Sequence, residues 1–409
     1  MKTRNESNVV VIGAGTIGCA ITYYLAKNGI EVTLVERNTI GSGNTSLAAS
    51  LLTKIRNKPE IIPLVQETYR SIDYLKEEIG NDLDVQKVGS LHVAASDASI
   101  SALDQLISIA DAFNIKHHNV SGEEIKGMVS WLKIDDILKA TYMPEDAFLD
   151  AYVLANSFVE AARKYGAVVK QYTNVEGLIT EGNHVKGVRT KTGNIECDFV
   201  VDAAGAWSNL LSMKVGIGLP MTPVRSNYWI TKSNPELFSS RQPIVILPDA
   251  SAYTRPESGA LLFGLRESKS VHFDPRNLPE DLTGYVFGDP EDRWNILVEQ
   301  WERFNKFFPK FDEIEIQHYI AGVSTYTPDG MFVIGGIPET KGFLAATGCS
   351  GAGVAVSGGM GRIISEIIMG QDVFCNVEPF RIDRFGIIDP FNYDFMRRCA
   401  DARSVKKSG

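Results

Sequence analysis

The stretch VVVIGAGTIGCA, residues 9–20, decides the reading. The apolar run 9–12 predicts a buried parallel strand, and the pattern over 16–28 predicts a helix. Between them stand Gly13, Gly15 and Gly18 at GxGxxG spacing. Gly13 permits the tight turn, Gly15 lets the backbone approach a pyrophosphate, and Gly18 lets the helix pack close to the strand. Thr16 and Ile17 open that helix, whose unpaired N–H groups and partial positive charge suit a phosphate. EVTLV, residues 31–35, is a second strand, so a βαβ unit begins the chain. Glu36 ends that strand at the distance where a carboxylate accepts the hydroxyls of an adenosine ribose, and an acid there disfavours a 2′-phosphate. NAD and FAD share this ADP half, so the segment alone leaves both open.

Outward from this unit the pattern alternates. Helical spacing recurs over 63–79, 98–113 and 150–165, the last ended by Gly166. Strand patterns occupy 90–95, 168–172, 176–180, 185–190 and 195–201, the last four as a meander. Residues 221–264 are β-rich. An amphipathic helix is predicted over 289–307, with Trp294, Leu297, Trp301 and Phe304 as its stripe. That stripe suits packing on a sheet, a peripheral membrane anchor being the alternative. The glycine-rich run TGCSGAGVAVSGG precedes a last helix from about 360 to 369.

The 409 residues are 44% hydrophobic, enough for more than one core. A formal charge of -9 argues against nucleic acid as a partner, since binding it requires a basic face. The five cysteines are scattered without a CxxC, the pattern of reduced thiols in a cytoplasmic protein. The six histidines show no metal-ligand spacing, and no metal is expected. Residues 1–8 are short and polar, without a signal-peptide pattern.

Three later segments separate the two dinucleotides: RNTIGSGNTSLAAS (37–50), VVDAAGAWSNLL (200–211), and TPDGMFVIG through ATGCSGAGVAVSGGMGRIISEII (327–368). Together with the opening motif they resemble the flavin-dependent amino acid and amine oxidoreductases, the family that includes D-amino-acid oxidase, glycine oxidase and monomeric sarcosine oxidase. The resemblance implies an α/β (α+β) architecture: a Rossmann-like FAD-binding domain of interleaved segments (1–85, 145–220, 322–375) and a mainly antiparallel β substrate domain (86–144, 221–321). Residues 376–409 form a C-terminal extension. It also implies that Arg37, Ser42, Thr45 and Ser46 serve the pyrophosphate or flavin side. Val175 meets adenine through its backbone, and Ala204, Gly205 and Trp207 form a ceiling over the cofactor. Gly348, Ser350, Gly351, Ala352, Gly353 and Val354 bring a helix N-terminus to the flavin's pyrimidine edge, where reduction leaves negative charge. Non-covalent FAD is expected.

The activity this resemblance implies is oxidation of the C–N bond of an amino acid or secondary amine, giving an imine that hydrolyses. A hydroxy-acid oxidoreductase on the same scaffold and a flavoprotein subunit of a heteromeric dehydrogenase are the alternatives. The partners expected are the small-molecule substrate, an acceptor (O2, a quinone or a partner subunit) and further copies of the chain. Where many members carry a carboxylate-binding arginine before the TPDG-like segment, this chain has Gly322-Val323-Ser324-Thr325. In the sarcosine-oxidase-like position, SGAGVAVSGG has Ala352 in place of histidine and no lysine. A guanidinium fork suits a carboxylate, and of Arg225, Arg56, Arg255 and Arg266 the expected clamp is Arg225, because the resemblance places its strand near the substrate. Tyr228 and Tyr253 are expected to close the pocket, and Glu267 to face the substrate side chain, where it would suit a cationic group.

Overall fold

A computed structural model describes residues 8–405. Its first sheet has nine strands. Asn8–Ile12 lies at the centre, parallel to Glu31–Val35 on one side and Phe199–Asp202 on the other. Val168–Lys170 extends one edge and Thr340–Thr347 the other, both in parallel. The buried strands are Val- and Ile-rich because helices cover them. Ile21 and Leu25 of Thr16–Lys27, Leu64 of Ile62–Ile79, Phe158 of Ala151–Lys164 and Ile363 of Gly353–Met369 share that core.

The second sheet has eight strands and is mostly antiparallel. Its long members are Thr222–Thr231 and Ile316–Tyr326, paired from Thr222↔Tyr326 to Thr231↔Ile316. It therefore runs through Tyr326, past the boundary expected at 321. Asp292–Phe307 packs on it through Leu297 and Phe304, the Phe304 ring stacked at 5.5 Å on Phe263. Trp294, expected in that stripe, is 46% exposed. The C-terminal helix Tyr393–Ser404 lies against the same sheet, Phe395 and Cys399 meeting Val224 and Tyr326.

Three local expectations change. The run 195–201 is two strands: Gly193–Glu196 pairs antiparallel with His184–Thr190, whereas Phe199–Asp202 joins the central parallel set. Val168–Lys170 belongs beside Glu31–Val35, outside the meander. The last helix begins at Gly353, well before 360. Its interior glycines are there for close approach: a Cβ would stand 2.2 Å from Ser71 Oγ at Gly358, 2.4 Å from Leu64 Cα at Gly359 and 2.8 Å from Ala20 C at Gly361. No helix among the described residues is long and apolar enough to cross a membrane.

Candidate active site: one cavity walled by both sheets

Both sheets face a single cavity of about 980 Å³. On the parallel-sheet side the wall begins at the first turn. Gly13 has φ +99°, and a Cβ there would stand 2.6 Å from the Ala203 carbonyl. At Gly18 a Cβ would stand 1.9 Å from Gly13 O, so Gly18 serves packing behind the wall while Gly13, Gly15, Thr16 and Ile17 line it. Gly15 caps the helix Thr16–Lys27 with no side-chain hydrogen bond. Thr16 N donates to Thr45 Oγ1 at 3.1 Å, which ties the second loop to the first helical turn. Glu36 accepts from Ala14 N and Asn38 N, each at 2.8 Å, and still faces the cavity.

Arg37 lies over the Trp207 ring at 3.8 Å, and both join Val175, Ala204 and Gly205 on the wall. Ser42 lines the cavity, but its hydroxyl donates to Thr39 O. Ser46 Oγ donates to Gly43 O, and the residue is off the wall, so the serine donors expected for a pyrophosphate are engaged by the loop itself.

The second glycine cluster reaches the same cavity. Gly348 and Ser350, at φ +64° and +47°, make the turn behind the wall, and Ser350 N donates to Thr325 O at 2.7 Å. Gly351, Ala352, Gly353 and Val354 line the cavity, and Ala352 caps Gly353–Met369 without a side-chain bond. Two helix N-termini without side-chain caps therefore meet one cavity. Such termini suit the pyrophosphate of a dinucleotide and the negative charge that reduction places on a flavin. With the Glu36 carboxylate on the same wall, these residues fit FAD.

The antiparallel sheet supplies the opposite wall: Asn227 and Tyr228 from Thr222–Thr231, Tyr253 from Ala252–Glu257, and Arg266 just past Ala260–Leu265. Tyr253 lies against Gly264, where a Cβ would stand 2.2 Å from its ring. Burial pushes the Tyr228 phenol up to about 12, and neighbouring Tyr253 adds to that. Burial also raises Tyr253, against the opposing pull of Arg266, Arg403 and Arg255. Both phenols are donors at neutral pH. Burial brings Arg266 down to about 10, so it stays charged.

Two expected substrate residues are elsewhere. Arg225 and Glu267 are 2% and 4% exposed and do not line the cavity. Arg225 Nη2 meets Glu267 Oε2 at 3.3 Å, and Nη1 pairs with the Asp292 carboxylate and donates to Phe287 O. Glu267 Oε1 accepts from Arg403 Nη1 at 3.0 Å. A strand position near the substrate wall does not make Arg225 a clamp, because its charge is neutralised by acids from 267 and 292. Glu267, held between two guanidiniums, presents no free negative charge to a cationic side chain. Arg255 is likewise engaged by Ala49 O, Pro256 O and Glu257. Arg56 and Arg266 are the two sequence alternatives that reach the wall.

Asn227 and Arg403 also line the cavity and had not been expected there. Asn227 sits in TPVRSNYWIT beside Arg225 and Ser226, so its polarity did not set it apart. Arg403 carried no signal either, since a lone arginine in a C-terminal helix is ordinary.

Residues 8–367 match the DAO family, described as FAD dependent oxidoreductase. The chain is 28% identical over 372 residues to mitochondrial sarcosine dehydrogenase of Homo sapiens, covering 89% of this chain and 40% of that protein. It is 25% identical over 386 residues to glycine oxidase of Geobacillus kaustophilus, covering 92% and 97%. The chain thus spans about two-fifths of the first relative and nearly all of the second. The crystal structure of L-proline dehydrogenase from P. horikoshii superposes with a TM-score of 0.81 at 27% identity, covering 94% of this chain and 99% of that one. With two helix N-termini meeting one cavity and a family match over residues 8–367, the chain belongs to the DAO family of FAD-dependent oxidoreductases.

Proposed function

We propose that this chain oxidises the C–N bond of an amino acid or secondary amine, with FAD held non-covalently. The nine-stranded sheet and its helices form the cofactor domain, and the eight-stranded sheet forms the substrate domain. Gly13, Gly15, Thr16, Thr45 and Glu36 hold the ADP half, and Gly351, Ala352, Gly353 and Val354 face the flavin's pyrimidine edge. Bound FAD supplies a two-electron acceptor for the α-hydride. As the substrate loses that hydride its nitrogen lone pair forms the C=N bond, and water then converts the imine to a carbonyl compound and an amine.

The chain's own part is binding and orientation. Arg266 pairs with the substrate carboxylate while Tyr228 and Tyr253 donate to the same end. The antiparallel wall holds no carboxylate or imidazole among the described lining residues, so the ammonium loses its proton to water before the hydride leaves. The helix Gly353–Met369 favours negative charge at its N-terminus and helps draw the electrons toward that end of the cavity. The observation that carries this reading is the placement of Arg266, Tyr228 and Tyr253 opposite two helix N-termini across one cavity. All five cysteines are free, in keeping with a reducing compartment, and we place the protein in the cytoplasm.

The test is anaerobic mixing of the yellow protein with amino acids, secondary amines and hydroxy acids. Bleaching by amines with release of a carbonyl product supports the reading, and bleaching by hydroxy acids alone overturns it. Colour that stays in the acid-precipitated pellet rejects non-covalent binding. Reoxidation by air or by a soluble quinone identifies the acceptor.

A further inference from the structure

The connection 266–291 holds one short helical turn, Pro275–Asn277, and otherwise no helix or strand among the described residues. Connections longer than about 12–15 residues without regular structure are uncommon in a compact domain and are usually functional covers or binding loops. The middle of this one is closed on itself. Phe273 and Phe287 meet edge to face at 5.9 Å, so the two ends of 274–286 lie together, as in an Ω-loop. Arg225 pins both ends of that neck: its backbone N–H donates to Val271 O at 2.8 Å, and its Nη1 donates to Phe287 O at 3.1 Å. Phe273 N adds a bond to Pro223 O at 2.9 Å. The neck therefore belongs to the antiparallel sheet.

From there the loop crosses to the parallel-sheet half. Leu278 and Leu282 turn inward, are buried, and pack with Ala206 and Trp207 from the turn after Phe199–Asp202. Leu47, two residues past Thr45, joins the same cluster. Both loop leucines and Pro275 line the cavity. Glu280 O accepts from Asn38 Nδ2 at 3.5 Å, two residues past Glu36, and the exposed acids Glu280 and Asp281 attract Arg37. The tip thus lies over the elements given above to the ADP half. The two attachments differ in kind. Backbone bonds and a buried guanidinium hold the neck, whereas two leucine side chains, one long hydrogen bond and exposed charges hold the tip. Exposed charge pairs contribute little, so the tip lets go first.

We propose that residues 274–286 are a gate on the cofactor: FAD enters and leaves only while Leu278 and Leu282 are lifted from Ala206 and Trp207. This rests on the FAD placement above and is independent of which amine is oxidised. A gate differs from a plain wall in its kinetics. Weakening a wall contact speeds release alone, whereas weakening a gate speeds entry as well, because a larger share of the molecules is open when FAD arrives.

The experiment measures entry by stopped-flow flavin fluorescence on the flavin-stripped full chain, and release by exchange of labelled for unlabelled FAD on the holoprotein. Wild-type entry should be slower than about 10⁵ M⁻¹s⁻¹, as expected where binding waits on a conformational change. Leu282→Ala should raise the entry and release rates together, by roughly 10–100-fold. Leu278→Val, a smaller loss that keeps the core filled, should raise both by a lesser factor and decides the matter if Leu282→Ala does not fold. Entry equal to wild type in the folded variants overturns the inference, even where release is faster. A wild-type chain that takes up no FAD overturns it together with the cofactor reading, whereas uptake at a rate the variants leave unchanged overturns the gate alone.

Discussion

Asp202→Asn separates burial from hydrogen bonding at the turn beneath the cofactor wall. Asp202 ends the central strand Phe199–Asp202 and is 0% exposed. Burial lifts its carboxyl from an ordinary 3.8 to about 7, against the Ala204 N–H and Ser208 hydroxyl, which lower it. Between those pH values the unfolded chain has lost this proton and the folded chain keeps it. The folded state binds the extra proton, so stability falls as pH rises from about 4 to about 7 and stays reduced above that. At about 1.4 kcal/mol per pH unit the penalty reaches roughly 4 kcal/mol at pH 8 but only about 1.5 kcal/mol at pH 5. Asparagine keeps an acceptor for Ala204 N, which bonds Asp202 Oδ1 at 3.0 Å, and carries no charge. The variant should therefore gain on the wild type by on the order of 2–3 kcal/mol between pH 5 and pH 8. Urea unfolding of both holoproteins, followed by tryptophan fluorescence at pH 5, 6, 7 and 8, reads that difference with the other titrations cancelled. A difference that is flat with pH would refute the reasoning.

Gly15→Val should yield colourless protein that does not saturate with FAD, because even a Cβ at that position stands only 3.2 Å from Thr45 Oγ1; a retained flavin spectrum rejects the loop assignment. Arg225→Met should cost about 3–5 kcal/mol by leaving Glu267 and Asp292 short of a buried partner, with KM nearly unchanged; a raised KM at constant Tm would return Arg225 to the substrate site. Gly359→Val should destabilise by at least about 1–3 kcal/mol through overpacking against Leu64, read as a lower Tm, and an unchanged melting curve would contradict the tight helix crossing. Tyr253→Phe removes one donor at the carboxylate end and should raise KM for the substrate about 5–10-fold with kcat less affected; an equal KM counts against that contact.

The opening βαβ unit was legible because its residues act locally: a Val run, three glycines at fixed spacing and an acid one strand later leave little choice of structure. The second glycine cluster was legible as the approach to a helix and misread in extent. Glycine ordinarily weakens a helix, so 353–359 looked like loop. What holds it helical is tertiary, the approach of Leu64, Ser71 and Ala20, and nothing local to 353–359 encodes that. The substrate wall was the least readable part. Tyr228 and Tyr253 emerged from strand placement, but Arg225 and Arg266 look equivalent in sequence. They are told apart by Asp292 and Glu267, and the Glu267 contact also needs Arg403, far along the chain. Charge pairing over such separations leaves no local pattern.

The tight crossing at Gly358, Gly359 and Gly361 has a mechanical corollary. It locks Gly353–Met369 onto Thr16–Lys27 and Ile62–Ile79, so the two helix N-termini that reach the cavity belong to one tightly packed block. The C-terminal helix is fastened instead to the antiparallel sheet through Phe395 and Cys399, which sets Arg403 on the facing wall of the cavity.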